Sequence, residues 1–99
     1  MDKEIINLAN KIVDKVKPQK IILFGSKAKG LSRENSDIDI CVIVEFENKH
    51  KKLMEIYEII DLDIDVDIVL YSPNKWEELK DDSSTFAGII NETGKVLYG

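Results

Sequence analysis

Phe24-Gly25-Ser26 closes an apolar run that begins at Ile21, and after ten further residues Asp37-Ile38-Asp39 opens a second one. A third carboxylate candidate, Asp67, sits inside a third run, Val66-Asp67-Ile68-Val69. Strand side chains alternate between faces, so Asp37 and Asp39 point the same way. Charges at strand positions cost free energy unless something neutralises them. The natural neutralising group for clustered carboxylates is a divalent cation, most often Mg²⁺ with a nucleotide phosphate. Gly25 lets the backbone approach a phosphate closely, and Ser26 offers an N–H and a hydroxyl.

Attack of an oxygen nucleophile on the α-phosphate of a nucleoside triphosphate suits this set. Two Mg²⁺ ions about 3.5–4 Å apart stabilise both ends of an in-line displacement and need carboxylates converging from neighbouring strands. Asp37 and Asp39 supply one strand's share and Asp67 the other's. The turn after Gly25 points N–H groups at the triphosphate. Lys27, Lys29 and Arg33 are the nearby cations, although Lys27 and Lys29 taken singly read equally well as solvated loop residues. Asp65 shares a face with Asp67, so alternation alone leaves either as the third acid.

The elements that must position these residues follow from periodicity. Ile5, Leu8, Ile12 and Val16 recur at helical spacing and predict a helix over 3–16, capped by Asp2 and ended by Pro18. Residues 20–24, apolar on both faces, predict a central strand covered on both sides. Ser26 to Lys29 predicts a single helical turn closed by Gly30, followed by a polar loop. A strand over 37–45 places Ile38, Ile40, Val42 and Val44 on one face and Asp37, Asp39, Cys41 and Ile43 on the other. A helix over 49–60 is expected to bury Leu53, Ile56, Tyr57 and Ile60; Tyr57 and Trp76 read as core packing, with stacking on a base the alternative for an aromatic near the site. A third strand covers 64–71. Ser72-Pro73 starts a short helix anchored by Trp76 and Leu79. A last helix runs from Ser84 to Glu92 and stops at Gly94, before an edge strand over 95–98. This order predicts one layered α/β domain over residues 1–99.

The chain has 99 residues and a formal charge of −5. The acidic balance argues against broad nucleic-acid binding, which runs on basic surface. Cys41 is the only cysteine, so no internal disulfide forms, which fits a reducing compartment. No signal segment or apolar run of about 20 residues is present, so a soluble, cytoplasmic protein with no membrane partner is expected. His50, in a basic cluster at a helix start, reads as surface, and Cys41 as a small buried hydrophobe.

Two other phosphate or metal motifs are rejected. Gly25-x₄-Gly30 is followed by Leu31-Ser32 rather than by Lys and Ser or Thr, so it is not a Walker loop. The acids from Asp61 to Asp67 lack the glycine and glutamate of a calcium loop, with Val66 and Ser72 in those places.

Gly25-Ser26-Lys27-Ala28-Lys29-Gly30, Ser36-Asp37-Ile38-Asp39-Ile40 and Val66-Asp67-Ile68-Val69 with Ser72 together resemble the DNA polymerase β-type nucleotidyltransferase superfamily. The match is nearest to its minimal (MNT-domain) members and covers nearly the whole chain. The resemblance implies a mixed sheet packed with helices in an α/β (α+β) fold. It implies Asp37, Asp39 and Asp67 as catalytic, Mg²⁺-binding acids, with Asp67 favoured over Asp65. Gly25, Ser26, Lys27, Arg33 and Ser36 fall at nucleotide-binding positions. Many such proteins are antitoxins encoded beside a HEPN-domain toxin. The implied activity is transfer of AMP from ATP to a tyrosine of that toxin, within a hetero-oligomer. Two alternatives remain: an antitoxin that neutralises its partner only by covering it, and a transferase acting on a small molecule.

Overall fold

Ile5, Leu8, Ala9, Ile12 and Val16 form the buried stripe of α1 (Lys3–Val16), as their spacing requires. The chain is described by a computed structural model over residues 3–25, 28, 37–61 and 65–99. The expected cap Asp2 and the turn and loop expected around Ser26–Lys29 and 31–36 lie outside the described residues, apart from Ala28 and Asp37. Beyond α1, Lys17 takes a φ of 52° ahead of Pro18. This is the left-handed conformation that favours glycine. Lys17→Gly should therefore stabilise the fold by about 1 kcal/mol, raising Tm by about 4–8 °C in a thermal melt. An unchanged or lower Tm would show that the lysine side chain, whose Nζ donates to the Asp14 carbonyl at 3.1 Å, matters more than the backbone strain.

β1 (Lys20–Phe24), β2 (Ile38–Ile43), β3 (Val66–Tyr71) and β4 (Lys95–Tyr98) form one sheet in the order β3-β2-β1-β4. β1 pairs antiparallel with both β2 and β4, and β2 pairs parallel with β3. β1 is interior and its Ile21, Ile22 and Leu23 are buried, as its two apolar faces predict. Alternation then sorts the core into two layers. Ile21, Leu23, Ile38, Ile40, Val42 and Leu70 pack against α1 and against Ile56 of α2 (Lys49–Glu58). Ile22, Cys41 and Ile43 pack on the other face, against Trp76 of α3 (Pro73–Leu79) and Ala87 and Ile90 of α4 (Phe86–Thr93). The result is a mixed sheet with helices on both faces.

Caps set the helix ends. Asn48 Oδ1 accepts from the Lys51 N–H at 3.0 Å, and Ser72 Oγ accepts from the Lys75 N–H at 3.3 Å, with Pro73 next in the chain. α4 begins two residues later than expected. Thr85 Oγ1 accepts from the Gly88 N–H at 3.0 Å, whereas Ser84 instead donates its hydroxyl to the Asp82 carboxylate at 2.6 Å. Two acceptable caps in succession are not separable by sequence, and the local turn decides.

Tyr57 corrects a second expectation. It is not a core residue: 37% of it is exposed, and its hydroxyl accepts the Ile68 N–H at 3.0 Å. β3 is an edge strand, so that N–H has no strand partner, and the phenol both satisfies it and blunts the edge. α2 also ends at Glu58 rather than Ile60, with Leu53, Ile59 and Ile60 only partly buried against the core. No helix among the described residues is long and apolar enough to cross a membrane.

Candidate active site

β1 ends where β2 and β3 begin, so one edge of the sheet gathers three chain segments. Pairing puts Phe24 of β1 opposite Asp39 of β2, and Asp39 opposite Asp67 of β3. Residues in register across neighbouring strands point to the same face. Phe24, Asp39 and Asp67 therefore make a row across that edge, on the face covered by α3 and α4. Asp37 lies one alternation earlier on β2's leading end and is exposed. Asp39 is half-buried and Asp67 exposed.

The acids interact through space. Burial first, then the charges of Asp67 and Asp37, hold the Asp39 carboxyl above the usual carboxylate range. Asp65 is exposed and follows the same alternation, but it is absent from the groups that perturb Asp39. The ion pairs among the described residues lie on the helices, Lys52–Glu55, Lys75–Glu78 and Lys80–Glu77, and none reaches the three acids. The site therefore holds concentrated negative charge that these cations leave unneutralised.

Gly25 completes the site in a way that its sequence position did not reveal. Its φ is +73°, and a Cβ there would strike Oδ2 of Asp39 and lie 3.2 Å from its Cγ. The glycine thus does more than open a turn: it leaves the space that the Asp39 carboxylate occupies. The signal that could have found this is the antiparallel register, which sequence alone does not supply.

Of the expected site residues, Gly25, Asp37, Asp39 and Asp67 are brought to this edge. Ser26, Lys27, Arg33 and Ser36 lie outside the described residues. His50 is exposed on α2, away from the acids. Cys41 shares the acidic face, but burial pushes its thiol up to about 12, which makes it a packed hydrophobe and not a thiolate. Sequence reasoning did not single out Phe24, in register with Asp39, and Phe86, whose rings meet edge to face with centroids 5.5 Å apart.

A glycine turn beside paired strand carboxylates, on a mixed sheet of this order, is the arrangement that the sequence motifs lead one to expect of a nucleotidyltransferase. The chain belongs to the nucleotidyltransferase-domain family, whose model matches residues 5–89. A Methanocaldococcus jannaschii protein assigned as a protein adenylyltransferase is 37% identical over 91 residues, spanning 81% of this chain and 89% of that protein. Among solved structures, a toxin–antitoxin protein crystallised with AMP-PNP superposes with a TM-score of 0.64. It is 29% identical and covers 95% of this chain, which spans 73% of that one. A Sulfolobus solfataricus protein assigned as a nucleotidyltransferase shares the fold, with a TM-score of 0.62 at 20% identity over 80% of this chain and 73% of that one. The resemblance read from Gly25-Ser26, Asp37-x-Asp39 and Asp67 is borne out at the level of an MNT-type nucleotidyltransferase, and the chain is an enzyme of that class.

Proposed function

We propose that residues 1–99 act as one cytoplasmic domain that transfers AMP from ATP, with Mg²⁺, to a tyrosine of a partner HEPN toxin, and so serves as its antitoxin. The observation that carries this reading is the register of Asp39 with Asp67 beside Gly25. The names of two relatives, a protein adenylyltransferase and a toxin–antitoxin protein with AMP-PNP, support the acceptor class and the nucleotide.

The donor set fits Mg²⁺. Among the described residues no group of three or more His, Cys, Asp or Glu is gathered to hold an ion. Mg²⁺ does not require such a cage: it takes one or two carboxylates and completes its shell with water and substrate phosphate oxygens. Asp39 and Asp67 would hold it, with Asp37 adjoining, and their mutual repulsion is the free energy that a cation relieves. When bound, the metal supplies Lewis-acid stabilisation of charge developing on the phosphate. The chain's own residues orient the substrates. Gly25 keeps the turn clear, Ser26, Lys27, Arg33 and Ser36 are assigned to the triphosphate by the resemblance of their motifs alone, and the β3 edge at Asp67 would admit an acceptor presented by another protein.

Catalysis and covering are separable by stoichiometry. A trace of this protein with ATP and Mg²⁺ should add the mass of one AMP to a tyrosine of the partner toxin, read by intact and peptide mass spectrometry. The toxin should stay inactive after it is purified away. Inhibition that needs equal amounts, proceeds without ATP and survives loss of Asp37 and Asp39 would leave only the covering antitoxin.

A further inference from the structure

Phe24 extends the row of acids by one strand. Neighbouring strands lie about 4.8 Å apart, so Asp67, Asp39 and Phe24 span roughly 10 Å across the sheet edge, on one face. Phe86, on the first turn of α4, sets its ring at 87° to that of Phe24 and remains 50% exposed. The buried cluster on this face comprises Ile22, Cys41, Ile43, Trp76, Ala87 and Ile90, with Phe24 partly packed against it, and Phe86 lies outside that cluster. Its partner ring Phe24 stands at the β1 end of the row, next to Gly25 in the chain, whereas Asp67 marks the β3 end.

This polarity divides the site. The β3 end is the edge strand of the sheet, served at Ile68 by Tyr57, and carries at Asp67 an exposed acid suited to an incoming hydroxyl. The β1 end carries the glycine turn and two aromatic rings, suited to a nucleotide whose phosphates lie at the turn and whose base is a flat apolar plate. A base offers a π-face to any ring that can reach it, and stacking on an aromatic side chain is sequence-tolerant and needs no hydrogen bonds.

We infer that Phe86, braced edge-on by Phe24, is the stacking platform for the nucleobase of the bound triphosphate. Phe86 is in this sense a specificity-determining residue, one that favours nucleotides over other polyphosphates. The inference rests on the nucleotidyl-transfer reading of the same site and names the residue that receives the base.

The test is binding with no turnover. Titrate the full chain, with Mg²⁺, against AMP-CPP, whose methylene between the α- and β-phosphates blocks transfer, and against inorganic tripolyphosphate, which lacks the nucleoside. Phe86→Ala should weaken AMP-CPP roughly 5- to 100-fold and leave tripolyphosphate unchanged. Phe86→Leu, which keeps apolar bulk and guards against a folding defect, should lose most of the same affinity. Phe86→Trp should restore it, with indole fluorescence that is quenched by AMP-CPP and not by tripolyphosphate, the native Trp76 being buried. Wild-type affinity for AMP-CPP in both Phe86→Ala and Phe86→Leu would overturn the inference. If KM for a protein acceptor then rises, Phe86 belongs to a partner-docking surface instead. A wild-type chain that binds neither probe would overturn the nucleotidyl-transfer reading itself, and the inference with it.

Discussion

Asp39→Asn should lower nucleotide transfer by about 10³-fold or more while the protein melts no lower than wild type. The two halves of this expectation have one cause. In the proposed reading, several kcal/mol of transition-state stabilisation depend on this carboxylate pair holding a divalent cation, and each 1.36 kcal/mol is tenfold in rate. The same pair is a burden to the fold. Partial burial and the charges of Asp67 and Asp37 raise the folded-state pKa of Asp39 above its ordinary value. A carboxyl with a raised folded pKa holds its proton more tightly in the fold than in the unfolded chain. Stability is then greatest while the group is protonated and falls as pH rises from the unfolded value through the folded one. At neutral pH the charged group is a net cost, which the neutral amide removes. Asp67→Asn should cut transfer comparably, whereas Asp65→Asn should cost little. Rates measured in Mg²⁺ beside thermal melts in chelator decide the matter. Near wild-type transfer by Asp39→Asn, or a larger loss at Asp65 than at Asp67, would sink the assignment of the acids.

Gly25→Val should abolish measurable ATP binding in calorimetry with Mg²⁺ present. Three effects act together at this position. The φ of +73° is strained for any residue with a Cβ, and more so for a β-branched one. The new Cβ meets the Asp39 carboxylate, so that side chain must shift. In the proposed reading the branched side chain also stands where a phosphate approaches the turn. Gly25→Ala separates them: it keeps the turn open to phosphate but retains the collision with Asp39, and should lose transfer more severely than it loses affinity. Unchanged affinity in the valine variant would place the nucleotide elsewhere on the molecule.

The sequence by itself determined the elements and their faces. Three- and four-residue steps from Ile5 to Val16 yield α1, and strict alternation at 38–44 separates the isoleucine and valine face from the face of Asp39 and Cys41, because one helical or strand geometry buries each pattern. Ser72-Pro73 and Gly94 fix helix ends through local backbone chemistry. Gly25, Asp37, Asp39 and Asp67 were legible as candidates for one edge because their motifs sit at the ends of strands that alternation already marks.

Tertiary structure decided what depends on pairing between segments far apart in the chain. That Asp67 rather than Asp65 stands opposite Asp39 is a matter of parallel register, and two acids two residues apart on one face carry no internal mark of it. That Gly25 makes room for Asp39, that Tyr57 serves the edge N–H of Ile68 instead of the core, and that Phe86 comes to rest on Phe24 all follow from which strand lies beside which. Periodicity reports the face a side chain takes. Its neighbours across the sheet are chosen by the packing of all the elements together, and much of the chemistry of this edge lies in those neighbours.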